Sequence, residues 1–235
     1  MRLMISVVSS TEALEALSGG AEILDIKNPA EGSLGAQPPA VIQEIERLSS
    51  GKAEVSAAIG DMPNLPGTAA LAALGAASCG VDYIKVGLHG PRNENEALAM
   101  LRAVRRAVHG FRTSIIAAAY ADFERAGTLN PACLPTIAAQ AGVQGCLLDT
   151  AIKDGHTLFD FLDPQTLRSL AEQVHDKAML LALAGALGEK DVRLIQALGA
   201  DIIGMRSAVC LDNRREGPLE VARILQLHRI LVPIV

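Results

Sequence analysis

The chain has 235 residues, half of them hydrophobic, enough to bury one substantial core, and its formal charge is -5 with no Trp and 3% aromatics. That balance offers neither a basic groove nor a base-stacking platform, so nucleic acid is not an expected partner. No apolar run reaches the ~18 residues needed to span a bilayer, no secretory leader is visible, and a cytoplasmic enzyme is expected.

Short β-type runs alternate with helix-compatible segments from end to end. In chain order the predicted strands are RLMISVV, EILDIK, AEVSAAI, DYIKVG, SIIAAAY, GCLLD, AMLLALA and DIIGM, with helical patterns such as 38–49 and 92–108 between them. Eight βα units without a linker or low-complexity tract predict an α/β fold, a single (β/α)₈ barrel over residues 1–235. The apolar spacing of Ile224, Leu225, Leu227, Ile230 and Leu231 in the tail RILQLHRILVPIV fits a last amphipathic helix covering the barrel. An open dinucleotide-binding sheet fits the same count, but no GxGxxG follows the first strand, so its fingerprint is missing.

A weak internal repeat strengthens the barrel reading. GAEILDIK from Gly20, GVDYIKVG from Gly80, GVQGCLLD from Gly142 and GADIIGMR from Gly199 each run from a helix-ending Gly through a small and a polar residue into a strand. In this register Asp25 and Lys27, Lys85 and Gly87, Leu147 and Asp149, and Gly204 and Arg206 share one face, while Leu24, Ile26, Ile84, Val86 and Leu148 share the other. The polar set is expected to point into the barrel, near the carboxyl ends of the strands where barrel active sites are built.

Lys27, Lys85 and Asp149 then meet at one mouth. Burial and a neighbouring like charge both lower a lysine pKa, and a Schiff-base lysine needs that lowering because only the neutral amine attacks a carbonyl. On residues alone either lysine can be the nucleophile, with the other tuning it or moving protons and with Asp25 and Asp149 balancing charge. Lys153, four residues beyond Asp149, reads as a loop charge on spacing alone. Gly185, Gly204, Arg206 and Ser207 in the last two βα turns are candidates for phosphate binding, by backbone N–H groups and an Arg fork. Asp61, Thr68, Tyr120 and Asp122 occupy polar turns that suit either substrate contact or ordinary turn chemistry. The four cysteines form no CxxC pair, the five histidines no HxH or HExxH, and no P-loop or GxSxG occurs, so no metal is expected.

The segments DIKNPAEGSLGA, IGDMPNLPGTAALAALGAA, DYIKVGL, YADFERAG, LLDTAIKDGHTLFDF, LALAG and DIIGMRSAVC resemble the (5-formylfuran-3-yl)methyl phosphate synthase family, from the amino end to about residue 210. The resemblance implies a lyase without an added cofactor. It would condense two molecules of glyceraldehyde 3-phosphate into 4-(hydroxymethyl)-2-furancarboxaldehyde phosphate, with loss of phosphate and water, for methanofuran-type carriers. It implies Lys27 as the Schiff-base lysine, Lys85 as the proton acceptor, and Asp25, Asp149 and Lys153 in support. The likeness fades through LDNRREGPLE. Another Schiff-base aldolase acting on a sugar phosphate, or a barrel that merely binds a phosphorylated metabolite, is the alternative, and a homo-oligomer is compatible with either.

Overall fold

A computed structural model describes residues 1–231. Eight parallel strands close into a barrel in the order of the chain. They are β1 (Arg2–Val7), β2 (Ile23–Ile26), β3 (Glu54–Asp61), β4 (Tyr83–Gly87), β5 (Ser114–Tyr120), β6 (Gly145–Asp149), β7 (Leu180–Leu183) and β8 (Ile202–Met205). The helices are α1 (Ser10–Ser18), α2 (Pro39–Ser49), α3 (Pro66–Ala77), α4 (Glu94–Ala107), α5 (Phe123–Ala126), α6 (Leu134–Ala141), α7 (Pro164–His175), α8 (Val192–Ala197) and α9 (Val221–Leu231). The eight strands expected from sequence are all present. Helix α9 confirms the expected tail helix through buried Ile224, Leu227 and Leu231, whereas Leu225 faces outward; the final VPIV lies outside the described residues.

Packing divides by strand parity. Leu24, Ile26, Ile84, Val86 and Leu148 join the large apolar layer between strands and helices. Met4, Ile23, Ala58, Ile116, Ala118, Leu147, Ala182 and Ile202 form a second cluster inside the barrel, plugged by Leu34 from the β2–α2 loop. Both faces are buried, so the alternation is one of neighbours rather than of exposure. No helix among the described residues is long and apolar enough to cross a membrane.

The repeat has a structural cause. Gly20, Gly80, Gly142 and Gly199 all adopt positive φ, as a helix-ending left-handed turn requires. Two residues on, each repeat carries an acceptor that clamps the preceding odd-numbered strand. Glu22 accepts from the Leu3 N–H (3.0 Å), Asp82 from Val55 (2.8 Å), Gln144 from Ile115 (2.8 Å) and Asp201 from Leu181 (2.8 Å). These four clamps sit at the amino ends of the strands, the end remote from the mouth.

Candidate functional site

The carboxyl ends of the strands surround a cavity of about 310 Å³. Asp25, Lys27, Lys85, Asp149, Lys153, Gly185, Gly204, Arg206 and Ser207 all line it. Lys27 follows directly on β2, and its N–H donates to the Val7 carbonyl (3.2 Å), so the ladder fixes it although the strand ends at Ile26.

Two of the three lysines are tied to carboxylates. Lys85 Nζ lies 2.5 Å from Asp25 Oδ1, both residues buried, and Ser6 Oγ donates to the other Asp25 oxygen (3.0 Å). Lys153 Nζ donates to Asp149 Oδ1 (2.6 Å) and to Thr150 Oγ1 (3.1 Å). That contact joins Lys153, a loop charge by spacing, to the cluster. Burial by itself would push the Asp149 carboxyl up, but Lys153 and Lys27, with hydrogen bonds from Lys153 and the Thr150 N–H, hold it down at about 2.

Lys27 differs from both. It is 6% exposed and has no carboxylate within 4.0 Å among the described residues. Burial lowers its ammonium to about 7; the more distant Asp149 and Asp25 act upward, and Lys85 and Lys153 add to the lowering. A large fraction of its amine is therefore neutral near pH 7.

Two expectations for the phosphate side need correction. Gly204 lies within β8 rather than in a turn; a Cβ there would meet the Met4 methyl at 2.8 Å and Ala184 at 3.2 Å, so glycine keeps the barrel end open. Arg206 is not a free fork. Its Nη atoms donate to both Glu12 oxygens and to the carbonyls of Ser6 (3.0 Å) and Gly217 (3.4 Å), and its Nε donates to Arg215 (2.8 Å), which commits all five N–H groups. Sequence reasoning also missed Arg215 in the loop after β8; it lines the cavity, and one Nη donates to the Gly32 carbonyl (2.9 Å).

The polar turns prove to be loop anchors. Asp61 accepts from the Tyr120 hydroxyl and from the N–H groups of Ser33 (2.7 Å) and Leu34 (3.3 Å), which fastens the β2–α2 loop across the mouth. Gly32 adopts φ 129, and a Cβ on it would lie 2.2 Å from Asp61 Oδ2. Asp122 accepts from Ala151 (2.7 Å) and Ile152 (2.9 Å), fixing the segment that carries Lys153. Thr68 is exposed on α3, away from the cavity. Among the described residues, no three His, Cys, Asp or Glu side chains are grouped to hold a metal ion.

The buried Arg206–Glu12 pair makes a stability prediction. Glu12→Gln leaves the guanidinium buried without its counter-charge and is expected to cost about 3–5 kcal/mol. Chemical denaturation checks this, and a loss below ~1 kcal/mol would mean that the pair contributes little.

The family model of the 4-HFC-P synthases matches residues 3–228. The chain belongs to this family. It is 49% identical over 233 residues to the (5-formylfuran-3-yl)methyl phosphate synthase of Methanopyrus kandleri, covering 98% of each chain. To the protein of that name from Archaeoglobus fulgidus it is 48% identical over 218 residues, 91% of this chain and 92% of the relative. Likeness to solved structures extends to the fold alone. The 3-hexulose-6-phosphate synthase of Salmonella typhimurium superposes with a TM-score of 0.64 at 16% identity, over 99% of this chain and 100% of that one. The thiamine phosphate pyrophosphorylase of Pyrococcus furiosus gives 0.64 at 15% identity, over 97% and 94%. The furan phosphate synthases therefore use a barrel shared with enzymes of other names.

Proposed function

We propose that this chain is a (5-formylfuran-3-yl)methyl phosphate synthase, a cytoplasmic lyase that condenses two glyceraldehyde 3-phosphate molecules through a Schiff base on Lys27. The observation that carries the reading is the state of Lys27, a buried amine at the mouth without an ion-pair partner beside two lysines that each have one. The names of the relatives supply the product class.

The amine of Lys27 adds to the aldehyde carbon, and loss of water gives an iminium that acidifies the adjacent C–H. We assign the removal of that proton to Lys85. It does this with Asp25 at 2.5 Å as its proton partner, so the pair acts as a short relay. The resulting enamine expels phosphate from C3, and C3 becomes the carbon nucleophile; it adds to C2 of the second triose phosphate, which has tautomerised to its ketone, and forms the new C–C bond. Ring closure of the C1 hydroxyl of that second unit onto the C2 carbonyl of the first, and loss of two waters, counted with the imine hydrolysed, give the furan aldehyde phosphate. The sum is redox-neutral, so no oxidant is required. Asp149 and Lys153 form the second proton-carrying pair, suited to the carbinolamine and dehydration steps.

Enzyme incubated with glyceraldehyde 3-phosphate alone should develop the ultraviolet absorption of a conjugated furan aldehyde and release one phosphate per furan. A borohydride-reducible adduct on Lys27 without furan would turn the reading to a simple aldolase. Absence of both would remove it.

A further inference from the structure

One permanent cation of the cavity wall is not tied to a carboxylate. Five lysine and arginine side chains line the cavity, Lys27, Lys85, Lys153, Arg206 and Arg215, with His156 and the Glu216 carboxylate beside them. Lys85 is paired with Asp25, Lys153 with Asp149 and Arg206 with Glu12. Lys27 must shed its proton to react. Arg215 alone keeps its charge with no carboxylate within 4.0 Å among the described residues, and its hydrogen bond to Gly32 uses a single Nη.

The loop that carries it is built to hold it there. An antiparallel bridge between Cys210 and Leu219 closes the loop at its base, helped by Leu211 N–H to the Pro218 carbonyl (2.9 Å) and Glu220 N–H to Val209 (2.8 Å). Asp212 and Asn213 turn the chain with φ of 56 and 55. From beneath, Arg206 donates to the carbonyls of Arg215 and Gly217. Arg206 is thus a positioning residue for the backbone of this loop, while the remaining Arg215 N–H groups stay available to the cavity. A partly buried guanidinium with unused donors suits an oxyanion that can accept two parallel bonds.

The geometry points to Arg215 as a direct ligand for the phosphate group of a bound substrate, with Arg206 acting through it. This rests on the proposed reaction for the identity of the substrate, but not for the presence of an anion site. Two triose phosphates must be bound, and a phosphate has to be held and then released, which a charge-assisted but non-covalent fork allows.

The test measures borohydride-fixed adduct on Lys27 against the concentration of glyceraldehyde 3-phosphate and, separately, of unphosphorylated glyceraldehyde. Arg215→Ala should raise the half-saturating concentration of the phosphate ester by about 10- to 100-fold and leave that of glyceraldehyde unchanged. Arg215→Lys should recover part of the loss, and the exposed neighbour variant Arg214→Ala should behave as the parent. An unchanged phosphate ester curve in Arg215→Ala overturns the inference, as does an equal loss for both aldehydes, which would mark a structural role. If the parent enzyme traps neither aldehyde, the Schiff-base reading fails. The anion site is then decided by thermal stabilisation with inorganic phosphate, which must be present in the parent and lost in Arg215→Ala; its absence in the parent, or its survival in the variant, also overturns the assignment.

Discussion

Lys27→Arg should lower furan formation by on the order of 10³-fold or more, with no adduct fixed by borohydride at that position. The substitution keeps a cation in the cluster but replaces a titratable amine with a guanidinium that stays protonated and cannot form the iminium. Retention of more than a tenth of the activity would place the nucleophile elsewhere. The parent enzyme should show a matching pH dependence. Because the reactive form is the neutral amine, trapping on Lys27 should rise with pH through about 7 and then level, where an unburied lysine would keep rising toward 10.5. A midpoint near 10 would mean that burial does not tune this amine. The same shift sets a stability slope. The unfolded chain holds the Lys27 proton between about 7 and 10.5 whereas the folded chain has lost it, so this group's contribution to stability improves as pH rises through that window.

Lys85→Met should separate imine formation from the later carbon chemistry. Lys27 is still present, so the reduced adduct should still form, while furan production falls by about 10²- to 10⁴-fold for want of the base. Exchange of the C2 hydrogen of glyceraldehyde 3-phosphate with deuterated solvent should fall with it. Furan formation within tenfold of the parent would show that another group removes the proton. The variant also strands Asp25, 1% exposed, without its ammonium, so the carboxyl must protonate or destabilise the fold. Combining Lys85→Met with Asp25→Asn should recover stability and leave furan formation low, which keeps loss of folding apart from loss of the base.

Much of this arrangement is legible in the sequence because it is periodic. The repeat glycines set the register, the register sets the parity, and parity puts Lys27, Lys85 and Asp149 on one inward face. The features that stay hidden depend on partners distant in the chain. Nothing near Arg206 announces Glu12, which lies 194 residues away, so a committed structural cation looks like a phosphate fork. Gly204 looks like a turn glycine because Arg and Ser come soon after it, yet the ladder to β1 runs through it, opposite Met4. Arg215 sits in a stretch that offers no motif to single it out, although the family match runs on to residue 228, and only the fold of its loop returns it to the mouth. Asp61 and Asp122 show the converse, since turn acids that suit substrate contact serve here to fasten loops.

The four side-chain clamps at the strand amino ends have a consequence for how such a chain can change over generations. Each quarter of the barrel carries its own alignment device, on the end opposite the chemistry, so strand registration does not rest on Asp25, Lys27, Lys85 or Asp149. Residues at the mouth can be exchanged without resetting the frame beneath them. A scaffold fastened in this way is free to acquire a new reaction at one rim while inheriting its foundation unaltered at the other.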